Sequence, residues 1–315
     1  MGPTASGKTE LSLEIARRLP VEIVSVDSRQ VYRGMDIGTD KVDSAARAAV
    51  PHHGLDVVEP TRHYSAGRFA RDARRWIGEI RARGRTPLLV GGTGFFLKAL
   101  MEPIFTEPPL DEARVIALRA HLRTQPPERL ARWVERLDPE RAPVARAGGR
   151  HRMSRALEVA LLSGRPLSWW HREAPPEGEG PVGVVTRLEL PREEIDRRID
   201  DRVARMMERG LVEEVRGLLA RGFAADAPGM TGTGYAEIVR YLGGELTLEE
   251  AVEEIRRNTR RYARRQMTWL RHQLPENAVR IDASLPLVVQ ADRALEAWTA
   301  AGGTSGDTRW AEGPR

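Results

Sequence analysis

The spacing of apolar residues changes period along the chain, and each change predicts a new element. In "ELSLEIARRL", residues 10–19, Leu11, Ile15 and Leu19 recur at helical spacing. "VEIVSVDS" at 21–28 is rich in β-branched residues and ends in polar ones, the pattern of a buried strand whose carboxyl end is functional. "GLDVV" at 54–58 and "PLLVGGTG" at 87–94 predict two more strands, with a helix around 65–82 between them. Strands alternating with helices imply a parallel sheet covered on both faces. From about residue 106 the pattern becomes Arg-rich and helical without strands, up to the Pro/Gly/Glu segment "EAPPEGEGP" at 173–181. "GVVTRLEL" at 183–190 returns to the strand pattern. Long amphipathic helices follow at about 192–221 and 247–273, then a last strand "AVRIDA" at 278–283. The tail from Gly302, "GGTSGDTRWAEGPR", has too little apolar content to pack and is expected to be disordered.

Composition narrows the class. The 315 residues are 41% hydrophobic, enough to bury a core in one large domain or two smaller ones. The absence of cysteine excludes disulfides, thiolate metal sites and a cysteine nucleophile, and fits a reducing compartment. No apolar run approaches the roughly 18 residues of a membrane span, and no basic segment followed by an apolar one opens the chain. A cytoplasmic protein without membrane contact is expected. The net charge of +5 is mild, but the arginines are clustered, which suggests a polyanionic partner.

The chain opens on "MGPTASGKTE". Gly2, Pro3, Thr4, Ala5, Ser6, Gly7, Lys8 and Thr9 match G-x-x-x-x-G-K-[ST] in full, and a helical pattern begins directly after them. In such a loop successive backbone N–H groups face an anion, Lys8 reaches the outer phosphates and the Thr9 hydroxyl can ligate Mg²⁺. Only Met1 stands before Gly2, where a central strand ordinarily leads into the loop. The fold class expected is α/β: a P-loop NTPase-like parallel sheet with flanking helices and an inserted all-helical subdomain, its first strand missing. The expected boundaries are 1–105 and 182–300 for the core, 106–181 for the insertion and 301–315 for the tail. The loop by itself leaves open whether the phosphate belongs to ATP or to a substrate. Asp27, ending an apolar strand, would also suit the metal site of a small-molecule kinase.

Four stretches narrow the choice: "GPTASGKT" at 2–9, "SVDSRQVYRGMDIGTDK" at 25–41, "LLVGGTGFFLKAL" at 88–100 and "RRQMTWLR" at 264–271. In order and spacing, from residue 2 to about 283, the chain closely resembles the bacterial tRNA isopentenyltransferase family, the tRNA dimethylallyltransferases. The resemblance implies transfer of a dimethylallyl group from dimethylallyl diphosphate to N6 of the adenosine 3′-adjacent to the anticodon. It also implies that the phosphate loop holds the donor's diphosphate, the leaving group, with Mg²⁺ at Thr9 and no ATP hydrolysis. The adenine amine is weakly nucleophilic because its lone pair is delocalised, so a base must take its proton, and by resemblance that base is Asp27. A carboxylate near bound Mg²⁺ is the rival role for Asp27. Ser28, Arg29 and Gln30 match family positions at the nucleotide, and Thr93 matches one near the reactive centre, where a plain turn is the alternative. For Tyr32, core packing and stacking are both open.

Arg256, Arg260 and Arg264 lie four apart, as do Arg257, Arg261 and Arg265, which makes two adjacent basic stripes on one helix. Seven arginines fall between 256 and 271, with acidic partners in sequence only at Glu253 and Glu254, so the charge is expected to await an anion. By resemblance Arg260, Arg261, Arg264 and Arg265 contact tRNA. So do His151, Arg152, Met153, Ser154 and Arg155, with Arg114, on an insertion that grips the anticodon stem-loop. The family implies a monomer. One departure stands out: Thr231, in "GMTGTGYAE", occupies a place where family members often have Arg. Competing readings are an ATP-using small-molecule kinase, an isopentenyltransferase of free adenine nucleotides, and a non-catalytic RNA-binding protein.

Overall fold

A computed structural model describes residues 1–102, 105–106, 108, 110–176 and 178–303. The chain divides into two compact units, Met1–Met101 with Pro181–Arg315 and, inserted between them, Glu102–Gly180.

In the first unit, helix α1 (Lys8–Ala16) leads into β1 (Val21–Val26), α2 (Ser44–Ala49), β2 (His52–His53), α3 (Ala66–Ala82), β3 (Thr86–Gly91) and α4 (Gly94–Met101). The second unit is helical: α5 (Glu112–Thr124), α6 (Pro127–Leu137), α7 (Ala142–Ala147), α8 (Gly149–Ser163) and α9 (Leu167–Glu173). The first unit resumes with β4 (Thr186–Glu189), α10 (Arg192–Glu208), α11 (Leu211–Ala220), α12 (Tyr235–Leu242), α13 (Leu248–Gln273), β5 (Val279–Asp282) and α14 (Leu287–Ala300).

The strands form two parallel sheets, β2-β1-β3 and β4-β5. In the first, Val21 to Val26 pair in register with Thr86 to Gly91. All six β1 residues are buried, as befits a strand flanked by strands and covered by helices on both faces. Even Glu22 is interior; bonds from Arg83 at 2.7 and 2.9 Å and from His53 at 2.7 Å compensate its burial and hold its carboxyl down to about 2.

Between the two sheets stands Met1. Its amino group donates to the Thr186 carbonyl at 2.7 Å, its carbonyl accepts from Leu188 N–H at 2.9 Å, and Gly2 N–H donates to the Gly91 carbonyl at 3.2 Å. Met1 thus bonds to β4 and Gly2 to β3, in the position where the strand before the phosphate loop was expected.

Two predicted elements shift. The strand expected at 54–58 lies instead at His52–His53, paired with Ile23 and Val24, and residue 58 makes only an isolated bridge to Tyr32. The chain turns because Asp56, at φ 54°, is drawn to Lys41 and Arg47 at 2.6 and 2.7 Å, and these ion pairs are invisible to local periodicity. The helical pattern over 192–221 divides at Gly210 into α10 and α11. Beyond the break, Glu214 of α11 reaches back to accept the backbone N–H groups of Asp36, Ile37 and Gly38, along with the hydroxyl of buried Tyr235 at 2.5 Å. Gly302 and Gly303 close the end of α14 by bonds to Thr299 and Trp298; the rest of the expected disordered tail, 304–315, lies outside the described residues.

The second unit has its own core, in which Leu122, Leu130, Val134 and Leu157 are almost wholly buried. Burying four such side chains contributes roughly 1.5–3 kcal/mol each, enough to hold short helices together around one centre.

Candidate active site

The carboxyl ends of β1 and β3 meet the start of α1 at a cleft of about 960 Å³ in the first unit. Ala5 and Gly7 both adopt left-handed backbone, at φ 62° and 86°, and this alternation turns successive N–H groups toward one side as an anion nest. A non-glycine residue held there costs about 1–3 kcal/mol, a strain typical of ligand-binding loops. The Ser6 hydroxyl and the Lys8 amine both donate to the Pro3 carbonyl, at 2.9 and 2.5 Å, which closes the loop on itself. Burial lowers the Lys8 amine to about 8, and the nearby Asp27 carboxylate offsets part of that effect. Thr9, in the first turn of α1, is exposed and lines the same cleft.

Asp27 sits one residue past β1. Its Oδ1 accepts the backbone N–H groups of Arg29 at 2.8 Å and Gln30 at 3.3 Å, while Oδ2 takes no hydrogen bond among the described residues. One oxygen orients the carboxylate and the other is available in the cleft. Thr93 is fixed beside it: its N–H donates to the Val26 carbonyl at 3.1 Å, and its Oγ1 accepts Ser28 N–H at 3.1 Å. The Tyr262 phenol is raised by burial and then by the Asp27 charge, against a hydrogen bond with Thr93.

Other expected residues serve the protein itself. The Gln30 carboxamide accepts from the Ser25 hydroxyl and donates to the Thr39 and Asp40 carbonyls, so it pins the 39–40 segment to the strand end. Arg29 donates to the Pro228 carbonyl at 3.0 Å, the same oxygen that receives the Thr231 hydroxyl at 2.9 Å. A guanidinium therefore stands beside Thr231, the position at which the resemblance led to the expectation of an arginine. Tyr32 packs in the core.

The basic stripes of α13 are not awaiting an anion as a whole, which corrects the sequence expectation. Arg260 is held by both oxygens of Asp200, Arg264 lies 3.4 Å from Asp196, and Arg256 and Arg257 pair with Glu253 and Glu254. The acids that hold Arg260 and Arg264, Asp200 and Asp196, sit on α10, 60 and 68 residues away in sequence. Arg261 and Arg265 are exposed and form no ion pair among the described residues; Arg265 lies over the Tyr262 ring at 5.9 Å and lines the cleft.

Arg114 and residues 151–155 belong to the second unit. Arg114 is exposed on α5, and His151 and Arg152 are exposed on α8. Met153 is 4% exposed and belongs to the unit's core, so its side chain is unavailable to a partner, a correction that follows from helical spacing. Ser154 is half-buried, and Arg155 pairs with Glu158.

Sequence reasoning missed three groups. Gln266 is buried; its Oε1 accepts Thr4 N–H at 2.8 Å and its Nε2 donates to the Gly92 carbonyl at 2.8 Å. Gly92 has to be glycine, since a Cβ there would lie 2.3 Å from the Gln266 amide. Arg202 of α10 donates to the Thr4 hydroxyl at 2.8 Å, and Arg198 lines the cleft one turn earlier. The signals were present: a neutral polar residue on the packed side of α13, four after Tyr262, and arginines four apart on α10.

A phosphate loop facing a strand-end carboxylate across a basic cleft defines a P-loop transferase. The model of the family described as IPP transferase matches residues 30–273. A tRNA dimethylallyltransferase from Thermomicrobium roseum is 48% identical over 275 residues, covering 86% of this chain and 82% of that one. One from Geobacillus thermodenitrificans is 42% identical over 276 residues, 87% of each chain. Among solved structures, the tRNA isopentenylpyrophosphate transferase of Bacillus halodurans superposes with a TM-score of 0.67 at 34% identity, covering 96% of both chains. A eukaryotic dimethylallyltransferase acting on tRNA gives 0.77 at 25% identity, covering 98% of this chain and 80% of that one. The chain belongs to the tRNA dimethylallyltransferase family.

Proposed function

We propose that this protein transfers the dimethylallyl group of dimethylallyl diphosphate to N6 of the adenosine 3′-adjacent to the anticodon of tRNA. The observation that carries the reading is the placement of the phosphate loop and the free Oδ2 of Asp27 in one cleft. The nest of N–H groups, Lys8 and Arg202 bind the diphosphate and stabilise the charge it gains as the allylic C–O bond breaks. Asp27, oriented through Oδ1, takes the N6 proton as the N6–C bond forms. Thr93, Ser28 and Tyr262 fix the geometry around it. Arg261 and Arg265, with Arg114, His151 and Arg152 on the second unit, meet tRNA phosphates.

Mg²⁺ fits the donor set. No group of three His, Asp or Glu side chains that could hold a metal occurs among the described residues, whereas Thr9 offers one hard oxygen beside the loop. Mg²⁺ commonly takes one or two protein oxygens, substrate phosphates and water. When bound it would neutralise the leaving diphosphate. Among the described residues no helix is long and apolar enough to cross a membrane. From the family resemblance we place the enzyme in the cytoplasm as a monomer.

Purified protein incubated with unmodified tRNA, Mg²⁺ and dimethylallyl diphosphate, without ATP, should yield N6-dimethylallyladenosine by nucleoside mass analysis. No product with the donor present, or product formed only with ATP, would overturn the reading.

A further inference from the structure

A second carboxylate faces the phosphate loop across the cleft. Asp40, on the segment between β1 and α2, lines the same cleft and stands 3.4 Å from Nε of Arg202 on α10 and 3.6 Å from Arg209 just beyond that helix. Through Nη1 the same Arg202 donates to the Thr4 hydroxyl at 2.8 Å, so one guanidinium links Asp40 to the phosphate loop. The charge of Asp40 also reaches Lys8: burial lowers that amine, and Asp27, Glu10 and Asp40 offset part of the effect. The backbone beneath Asp40 is well held. Its φ of 52° is left-handed, a conformation that Asp and Asn tolerate better than most side chains. Its N–H donates to the Ile37 carbonyl at 3.0 Å, its carbonyl accepts from Gln30 at 3.3 Å, and the next residue, Lys41, is buried and bonded to Asp36 and Asp56 at 2.8 and 2.6 Å. The contacts with the two arginines, by contrast, are loose, since a well-seated guanidinium–carboxylate bond is about 2.7–2.9 Å.

We propose that Asp40 is an internal anion that competes with the diphosphate for Arg202, and that it thereby sets how tightly the diphosphate product is held. The inference rests on the proposed function, which places a diphosphate in the loop. A guanidinium prefers the paired oxygens of a phosphate to a loosely placed carboxylate, because two parallel bonds form at once. Asp40 is fixed through its backbone, so the exchange of partners is made by the Arg202 side chain. Breaking the allylic C–O bond leaves the diphosphate with more negative charge than it carried in the donor. A cradle of N–H groups, Lys8 and Arg202 then holds the product more firmly than the substrate, and release slows turnover unless something opposes it. Asp40 supplies that opposition without touching the reacting atoms. Its repulsion scales with the charge of the ligand, so it weighs more on the product than on the donor.

Asp40→Asn removes the charge, keeps the shape and suits the same left-handed backbone, so the chain should fold as before. Inorganic diphosphate titrated calorimetrically into the full chain, without tRNA, should bind about three- to fivefold more tightly to the variant, and the gain should shrink below about twofold in roughly 0.5 M salt. As a product inhibitor of transfer, diphosphate should become more potent by the same factor. In an Arg202→Ala background the substitution should gain little. Unchanged or weaker diphosphate binding by Asp40→Asn would overturn the proposal and make Asp40 a residue that orients Arg202. An equal gain in the absence of Arg202 would overturn it in favour of a general field of Asp40 over the cleft. Failure of both the parent chain and the variant to bind diphosphate would overturn the reading of the phosphate loop itself, and this inference with it.

Discussion

Gln266 and Thr4 are 262 residues apart in sequence, yet the carboxamide oxygen of one receives the backbone N–H of the other at 2.8 Å. Through its amide nitrogen the same side chain holds the Gly92 carbonyl, so one glutamine ties the phosphate loop to the turn that bears Thr93. Gln266→Ala leaves a buried donor and a buried acceptor unpaired, at about 1–3 kcal/mol each. A lower melting midpoint is expected, together with a rise of roughly tenfold or more in KM for dimethylallyl diphosphate. Gln266→Glu keeps the Thr4 bond but sets a carboxylate oxygen against the Gly92 carbonyl, and should be the worse variant by both measures.

Asp27→Asn is a near-isosteric change, because an amide oxygen can still accept from Arg29 and Gln30. Folding and tRNA affinity should hold while transfer falls by about 10²–10⁴-fold, the range for loss of a general base. Parallel loss of tRNA affinity would identify Asp27 as a binding residue instead.

The Lys8 amine titrates at about 8 in the free protein. On the proposed function its charged form binds diphosphate, so kcat/KM for the donor should be flat below that pH and fall about tenfold per unit above it. Lys8→Arg stays charged across the range, and whatever activity it retains should lose this alkaline limb.

The Met1 ammonium gives a separate pH effect, on stability. Its pKa is lowered from 8.0 to about 5 on folding, so between those values the unfolded chain binds more protons and stability rises with pH. The gain is complete above about 8 and absent below about 5, and three units correspond to roughly 4 kcal/mol. Urea midpoints measured from pH 5 to 8 should show this rise, and N-terminal acetylation should flatten it.

The arginines of α13 should separate by salt dependence. Arg261→Ala and Arg265→Ala should each reduce the slope of log affinity for tRNA against log salt by about 1. Arg260→Ala frees Asp200 in a partly exposed setting; it should cost about 0.5–1 kcal/mol of stability and leave the slope nearly unchanged.

What the sequence disclosed was placement carried by contiguous residues: the loop at 2–9, Asp27 at a strand end, Thr93 after an apolar run. The strand near 54–58 was misplaced because Lys41 and Arg47 capture Asp56, which period-two counting cannot register. The neutralisation of Arg260 by Asp200 and the double bond of Gln266 join positions far apart in the chain and come into view only when α10 and α13 pack. Met153 was legible in principle, since it shares a helical face with Leu157, but its motif setting outweighed its apolar character.

Glu214, by accepting three consecutive amides of Asp36–Gly38, makes that segment a dependent of α11 rather than of the neighbouring sheet. In native-state hydrogen exchange these amides should open together with the helix that supplies their acceptor. The wall of the cleft at 38–42 is thus held from two sides, by Glu214 at Gly38 and by Gln30 at residues 39–40, and a substrate entering the cleft meets a surface whose rigidity is set in part on the far side of Gly210.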